Sequence, residues 1–393
     1  MKIFSSLLFL FMCNITFAQL SPFEYNGYVK YLFSSTEYAV IDERLNDHLL
    51  HSRLNTRWYP SQSFNAALEL RTRIFYGGSV EKIPDYSDLI KSKQNLVKLD
   101  YMLWDENRSI GYIEIDRLWM DYVKNNWQVT LGRQRIAWGT SWAWNPTDLF
   151  NPKDVLDFDY EELPGADAVR IQYYTGPVTK VELAVSPAKN NQDLIAAGLI
   201  SFNKWGYDFN LIAGYKKERW VTGGGWVGDI FNAGFRGEVL VSQAPKENFE
   251  SQNYNIFNLK PLSVDKPVLT FVLSGDYTFP NSFYIHTELL FNSNGTTRYT
   301  SIYRQEAVDL DMLTPARWSV FQEFSYQFTP LFRGSILGIT NPDDKSFVII
   351  PSASYSIITN FDLYITGFFF GGNTLTEYGG NRSKLFIRLK YSF

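Results

Sequence analysis

The sequence has very little cysteine and histidine. Its 393 residues include one cysteine, Cys13, and three histidines. Cys13 lies within a predicted export signal, so the mature chain has no thiol for a disulfide, a zinc–thiolate site or a cysteine nucleophile. Serine-elbow, phosphate-loop and metalloprotease motifs are missing as well. We therefore predict no cofactor and no metal site, and we do not expect an enzyme.

Long apolar runs are also missing beyond the first residues. The mature chain contains no apolar stretch of about 20 residues, the length that a membrane-spanning helix needs. The formal net charge is only −4, from 37 Lys and Arg against 41 Asp and Glu. A mildly acidic chain gives no reason to expect a nucleic acid as a partner. These features exclude helical membrane proteins and leave nucleic-acid binding without support.

The first 18 residues are typical of an export signal. Lys2 provides a positive start, residues 3–12 are mostly apolar, and Thr16-Phe17-Ala18 supplies small residues at the two positions that a signal peptidase reads. We predict cleavage after Ala18 and one domain over residues 19–393. Two alternatives are a membrane anchor, for which the apolar stretch is short, and a lipoprotein signal at Cys13. Met12 fits the second poorly, because a small residue is expected before a lipidated cysteine.

Aromatic residues, in contrast, are abundant. Phe, Trp and Tyr make up 17% of the chain, while the mean hydropathy is slightly negative. A transmembrane β-barrel needs both properties, because aromatic girdles mark the two membrane interfaces while a polar lumen keeps the hydropathy low.

A two-residue periodicity runs through the mature chain. At residues 383–393, Leu385, Ile387 and Leu389 alternate with Lys384, Phe386, Arg388 and Lys390. Successive side chains of a strand point to opposite faces, so one face suits lipid and the other a polar lumen. Similar alternation covers residues 50–58, 66–74, 234–241 and 283–291, each about the length of a tilted transmembrane strand.

The connections between these strands also alternate in length. Eight short turns rich in Gly, Pro and Asn, among them 203–204 and 228–229, separate nine longer connections, among them 35–48, 76–110 and 139–165. Short turns on the periplasmic side and long loops outside are the asymmetry of outer-membrane barrels. We therefore predict an all-β fold, a transmembrane antiparallel up-and-down β-barrel of about 18 strands, with 16 as the alternative.

Charged residues gather on the predicted lumen face of the first strands. They are Arg53, Arg57, Glu69, Arg71, Arg73, Glu114, Asp116, Arg133, Arg135 and Arg170. Opposed rows of Arg and carboxylate would create a transverse field that selects solutes. The alternative, compatible with the first, is that paired charges stiffen the wall. The apolar face shifts by one residue between Asp116 and Leu118, which indicates a β-bulge.

A motif follows near the middle of the chain: Gly132-Arg133-Gln134, then Trp138-Gly139, then Asn145-Pro146-Thr147-Asp148. It resembles uncharacterised porin-like outer-membrane β-barrel families of Gram-negative, Bacteroidota-like bacteria. The resemblance implies a barrel and assigns no solute. The terminal Phe393, two residues after Tyr391, resembles the signal that barrel-assembly machinery recognises.

The 139–165 connection is the candidate pore constriction. Pro146 and Pro152 stiffen it, and an inward fold would place Trp138, Trp142, Trp144 and Asp148 in the lumen, where the tryptophans could stack on a sugar. Alternatively, the tryptophans anchor the outer interface. The same connection carries an acidic run, which binds calcium or is simply solvated. Its members are Asp154, Asp157, Asp159, Glu161, Glu162 and Asp167.

These features predict an outer-membrane, porin-like channel for passive passage of small polar or anionic solutes through an Arg-rich lumen. Its expected partners are outer-membrane lipids, a small polar solute and, in one option, two further copies in a homotrimer. An exporter of acidic polysaccharide is the first alternative. A lipid-modifying outer-membrane enzyme is the second, and it requires a His–Ser pair on the lipid face. His51 and His286 fall on the polar phase, and His48 falls in a predicted loop.

Overall fold

The computed structural model describes residues 22–38, 42–91, 96–151, 163–189, 193–243 and 267–393, together with Leu156 and Leu262. The predicted signal peptide and its cleavage site after Ala18 lie outside these residues.

Nineteen β-strands form one continuous sheet. They are β1 Phe23–Tyr38, β2 Glu43–Ser61, β3 Phe64–Gly77, β4 Asp100–Glu106, β5 Ser109–Lys124, β6 Trp127–Gln134, β7 Ala166–Tyr174, β8 Lys180–Ser186, β9 Ile195–Lys204, β10 Tyr207–Lys216, β11 Arg219–Ile230, β12 Ala233–Ser242, β13 Val268–Thr278, β14 Phe283–Asn292, β15 Trp318–Thr329, β16 Phe332–Asn341, β17 Ser346–Ile358, β18 Phe361–Gly371 and β19 Lys384–Ser392.

The sheet closes on itself. β1 pairs with β2 along one edge and with β19 along the other, in a register that runs from Tyr28↔Ser392 to Thr36↔Lys384. Gly27 and Phe393 exchange two backbone hydrogen bonds of 3.0 and 2.9 Å at the junction. Every named strand pair is antiparallel. Among the described residues β4 pairs with β5 alone, so 18 strands make the ring. The predicted all-β barrel of 18 strands is confirmed.

Consecutive strands are joined by tight turns at one end of the barrel, the turn end, and by longer connections at the other, the loop end. Two turns lie two to three residues later than predicted. β9 continues through Lys204 to a turn at 205–206, and β11 continues through Gly228 to a turn at 231–232. Gly228 therefore lies within β11. A Cβ at this position would be only 2.3 Å from the ring of Tyr207, so no larger residue fits here.

The outward face of the barrel is apolar and ends in aromatic rings. Leu54, Leu131, Leu183 and Leu211 are exposed on it. At the turn end, rings of neighbouring strands lie beside one another, as in the pairs Phe23–Trp58, Trp127–Tyr173, Phe202–Phe209 and Phe283–Phe324. This arrangement is the aromatic girdle expected from the composition.

Three short helices lie at the loop end: α1 Gly78–Lys82, α2 Tyr86–Leu89 and α3 Arg304–Asp309. In the part of the chain that the structure describes, no helix has the length and apolar character needed to cross a membrane.

β5 contains the predicted β-bulge. Leu70 of β3 pairs with Ile115 and Glu69 pairs with Arg117, which leaves Asp116 as the extra residue. Asp116 and Arg117 are consequently both buried on the inner face, while Leu118 returns to the outer face. The bulge thus adds a charge to the lumen wall.

β5 also marks the place where the chain leaves the wall. Its turn-end half, from Leu118 to Lys124, pairs with β6, whereas its loop-end half pairs with β4. β6 ends at Gln134, and β4 takes over its place beside β5. This exchange frees the segment after Gln134 to turn into the barrel.

Candidate functional site

Residues 135–151, the inward loop, lie inside the barrel. Their backbone reaches two glutamates on the inner face of distant strands, Glu238 of β12 and Glu288 of β14. A third, Glu182 of β8, contacts a side chain of the loop. We call Glu182, Glu238 and Glu288 the wall glutamates. All three are fully buried.

Glu238 binds the loop through both of its carboxylate oxygens. Oε1 accepts the backbone N–H groups of Thr140 at 2.5 Å and Ser141 at 2.7 Å. Oε2 accepts the N–H of Thr147 at 3.0 Å and its hydroxyl at 2.6 Å. One carboxylate therefore ties together the two arms of the loop. Hydrogen bonds to a charged acceptor are stronger than neutral ones, which suits a site where burial makes every unpaired group costly.

Glu288 holds the tip of the loop. It accepts the N–H groups of Trp142, Ala143 and Trp144, with nitrogen–oxygen distances of 3.1, 3.3 and 2.7 Å. Glu182 works differently, because it accepts the indole N–H of Trp138 at 2.7 Å and also pairs with Arg170 at 2.5 Å. The loop is thus fastened at three strands along one side of the lumen.

The wall beneath the loop is shaped to receive it. The first arm packs on alanines of β7, β8 and β9 that leave room for its bulky residues, and Trp138 meets Phe150 edge-on with ring centroids 5.2 Å apart. These alanines are Ala166, Ala168, Ala184 and Ala197. On β11, a Cβ at Gly225 would lie only 3.0 Å from the Thr140 hydroxyl.

The sequence motif supplies the turn into the lumen. Gly132 has a positive φ of 114°, and a Cβ there would lie 2.3 Å from the carbonyl oxygen of Leu118. Gly139 lies against Asn145, where a Cβ would come within 2.5 Å of the amide oxygen. The Asp148 carboxylate accepts the N–H groups of Trp138 and Gly139 at 2.5 and 2.7 Å. Hydrogen bonds within the motif therefore hold this part of the inward loop in its conformation.

The three tryptophans have different environments. Trp138 and Trp144 are only 2% and 3% exposed, because they are packed between loop and wall. They do not anchor an outer interface, and nearly all of each ring is covered. Trp142 is 53% exposed, with the guanidinium of Arg236 at 5.9 Å from its ring centroid.

The charged residues of β2, β3 and β5, which we call the charged wall, are paired within the wall. Arg53 binds Glu69 and, at 2.7 Å, Asp116. Arg57 binds the other oxygen of Glu69 at 2.7 Å, and Arg71 binds Glu114. The expectation that Glu69, Glu114 and Asp116 face the arginines across the pore is wrong. Each carboxylate contacts a guanidinium group on the same side of the barrel, within one or two strands, so these pairs create no transverse field.

Burial separates the predicted arginines into two groups. Side-chain exposure is 1% for Arg53, 5% for Arg71 and 5% for Arg133, against 31% for Arg57. Arg73 is also partly accessible and donates to the carbonyl oxygen of Ile90 at 2.8 Å. Buried guanidinium groups in ion pairs support the wall, and only the accessible ones can meet a solute.

Three of the predicted arginines, Arg133, Arg135 and Arg170, lie near the inward loop. Arg133 pairs with Asp167 at 2.8 Å, and Arg170 pairs with Glu182. Asp167 lies in β7 and not in the acidic run of the loop. The other members of that run lie outside the described residues. Arg135 is exposed and lies within electrostatic range of Arg117 on the wall and Asp148 on the loop.

The histidines offer no catalytic arrangement. His51 and His286 are buried on the inner face, as predicted. His286 Nε2 lies 2.9 Å from Ser274 Oγ and 3.6 Å from Glu288, but a serine triad needs the serine and the acid on different ring nitrogens. His48, predicted in a loop, lies in β2 and faces outward, where Tyr31 hydrogen-bonds it at 2.6 Å. No serine of the described ranges bonds to it, so the lipid-modifying alternative lacks its required pair.

No group of three His, Cys, Asp or Glu suited to a metal ion occurs in the residues that the structure describes. The wall glutamates escaped the sequence analysis, although each is the single carboxylate on the inward phase of its strand. That pattern is the one signal by which they could have been found.

Comparison with known structures shows a similar fold. The chain superposes on three solved structures at 8% sequence identity: OccAB4 and OccAB2 of Acinetobacter baumannii, with TM-scores of 0.59 and 0.57, and OccK8 (OprE) of Pseudomonas aeruginosa, with 0.57. Each superposition covers 94–95% of this chain and 98–99% of the other. The fold is that of outer-membrane porins. No protein-family model matches the sequence, and neither does any curated protein.

Proposed function

We propose that the protein is an outer-membrane channel that passes small polar or anionic solutes by diffusion. The observation that carries this proposal is the asymmetry of the lumen. The inward loop is fastened to β8, β12 and β14, while accessible arginines of the charged wall and of the loop itself, Arg57 and Arg135, face the remaining space. A loop that narrows a barrel beside accessible cations is suited to favour anions.

The outer surface supports the membrane location. Exposed leucines and isoleucines on the outward phase would be costly in water, and the aromatic rings at the turn end suit a membrane interface. Short turns of outer-membrane barrels lie on the periplasmic side, so the turn end would lie in the periplasm and the loop end outside the cell. Recognition of the last strand by assembly machinery and a homotrimeric state remain predictions from the sequence.

The proposal is tested by reversal potentials in planar lipid bilayers under a KCl gradient. We expect the native channel to prefer chloride, and the double variant Arg57→Gln with Arg135→Gln to lose most of that preference, because the accessible positive charge is removed while the buried ion pairs stay. Lys124→Gln is the matched control, since Lys124 is exposed on the outer face at the turn end and should leave the potential unchanged. A channel that prefers potassium, or a protein that forms no channel at all, would refute the proposal.

A further inference from the structure

A cavity of about 790 Å³ lies at the loop end of the barrel, directly above the inward loop. We call it the vestibule. Trp144, Asn145 and Pro146 of the inward loop form its floor, and α3 with the segment to Pro315 covers one side. Its volume is within the range of small-molecule sites, about 300–1,000 Å³. A solute that enters from the loop end would pass through it before it reaches the loop.

One side of the vestibule is apolar, which the expectation of a polar, Arg-rich lumen did not foresee. Phe368 and Phe370 of β18 and Phe386 of β19 line it, together with Leu313. These phenylalanines stand on the inward phase of their strands, which the sequence analysis had assigned to polar residues. Phe368 meets Phe386 edge-on, with ring centroids 5.5 Å apart. A wall of this kind attracts the apolar part of a solute rather than its charge.

The rest of the lining carries three cations, Lys216, Lys217 and Arg304, against two carboxylates, Asp311 and Glu377. The Glu377 carboxylate is already occupied by hydrogen bonds from Thr314 and Asn341. Lys216 and Lys217 share one carboxylate, Asp311. Arg304 of α3 donates to a backbone carbonyl oxygen, that of Glu377, at 2.8 Å. A cation also borders the apolar side, because Lys384 Nζ lies 5.8 Å from the ring centroid of Phe370. The carboxylate on the floor, Asp148, is occupied by the backbone N–H groups of the inward loop.

We propose that the vestibule binds amphipathic organic anions, that is, solutes with one anionic group next to an apolar ring or short hydrocarbon chain. The apolar body would lie against the phenylalanines of β18 and β19, and the anionic group would face Arg304 and the lysine pair. This inference rests on the proposed channel function and deepens it, because it names the solute class that the entrance selects. A compact hydrophilic anion would gain only the contacts with Arg304 and the lysine pair.

The test compares two sulfonates of equal charge as blockers of chloride current in planar bilayers. Benzenesulfonate should reach half-block at a concentration at least about tenfold lower than methanesulfonate, since only its ring can use the apolar wall. Phe370→Ala should raise the half-blocking concentration of benzenesulfonate by about fivefold or more and leave that of methanesulfonate unchanged. Arg304→Gln should raise both concentrations.

Phe369→Ala is the matched control. Phe369 is the next residue in the chain but points outward, with 55% exposure, so its removal should not change block by either sulfonate. Folding of each variant is checked by the heat-dependent shift of its mobility in detergent gels. If Phe370→Ala does not fold, Phe370→Leu replaces it, with a weaker block by benzenesulfonate expected.

The outcomes separate the two proposals. Absence of any chloride current refutes the channel itself. A normal chloride current with equal half-blocking concentrations for the two sulfonates overturns the vestibule alone. Equal weakening by Phe369→Ala and Phe370→Ala also overturns it, because benzenesulfonate would then act from outside the lumen.

Discussion

Two regions of the membrane barrel bury carboxylates with different partners. One is the charged wall, and the other is the loop seat, formed by Glu238 and Glu288. In the charged wall, Glu69 and Glu114 are paired with guanidinium groups on adjacent strands, and Asp116 is paired with Arg53 two strands away. In the loop seat, Glu238 and Glu288 are paired mainly with backbone N–H groups of a remote segment.

The difference determines what each region can do. An ion pair between adjacent strands fixes two side chains of the wall and leaves the lumen open. A carboxylate that accepts backbone N–H groups fixes the position of a whole segment, here one that narrows the lumen. We expect the first arrangement to stiffen the barrel and the second to set the width of the lumen. Substitutions in the two regions should therefore change different measurable properties.

The largest effect is expected from the double substitution Glu238→Ala and Glu288→Ala. It removes the acceptors of six loop N–H groups, each costly to leave unpaired when buried, so the loop should detach from the wall. Single-channel conductance should rise by about twofold or more because the bore is no longer narrowed. The barrel should still form, since the strand ladders are untouched.

Glu323→Ala is the control for that substitution. Glu323 pairs with Arg333 inside the wall and does not hold the loop, so its removal should leave the conductance near the native value. If the double variant also conducts like the native protein, the wall glutamates do not set the bore.

A smaller effect, on stability rather than conductance, should separate Arg53 from Arg57. Arg53→Met leaves Asp116 and one oxygen of Glu69 buried without their main partner, which should lower the free energy of unfolding by about 3–5 kcal/mol. Arg57→Met should cost about 1 kcal/mol or less, because Arg57 is partly solvated and Glu69 keeps Arg53. Urea unfolding of the folded barrel in phospholipid vesicles measures both. Equal losses would mean that burial does not decide the role of these arginines.

The sequence was sufficient to predict the barrel, its strand number and the bulge at Asp116. These features follow from local periodicity, which the chain carries at every strand. It was also sufficient to find the charges of the charged wall, but not their geometry. The register of the strand pairs decides whether Glu69 contacts Arg53, and the alternation of side chains alone does not fix that register.

The loop seat could not be predicted, because its partners are far apart in the chain. Glu288 and Trp144 are separated by 144 residues, and backbone N–H groups have no sequence signature. The apolar side of the vestibule was missed for a related reason. Phe386 interrupts the polar phase of β19, and only the position of the inward loop and of α3 shows that this phenylalanine borders a cavity.

The smallest expected effect concerns pH at the loop end. Burial raises the pKa of Glu377, although hydrogen bonds from Thr314 and Asn341 partly oppose this. The Glu377 carboxyl group binds its proton more tightly when the loops are packed than when they are open. The stability of the packed loops is therefore full below the ordinary carboxyl pKa. It falls as the pH rises through the raised value. Hydrogen exchange of the Glu377 region, corrected for the intrinsic rate, should therefore lose protection as the pH increases.

Glu377→Gln is the comparison for the pH experiment, because it keeps an acceptor for Thr314 and cannot ionise. Its protection should be independent of pH over the same range. An identical pH dependence in native protein and variant would assign the effect to another group.

The attachment of the inward loop to the wall can be measured directly by pulsed electron resonance. Spin labels are placed at Trp142→Cys, on the loop, and at Asn126→Cys, in a turn-end connection, in a protein expressed from residue 19 onward, which has no other cysteine. A single narrow distance distribution in native-like membranes is predicted, and it should broaden when Glu238 and Glu288 are both replaced by alanine. A broad distribution with both wall glutamates in place would contradict the account.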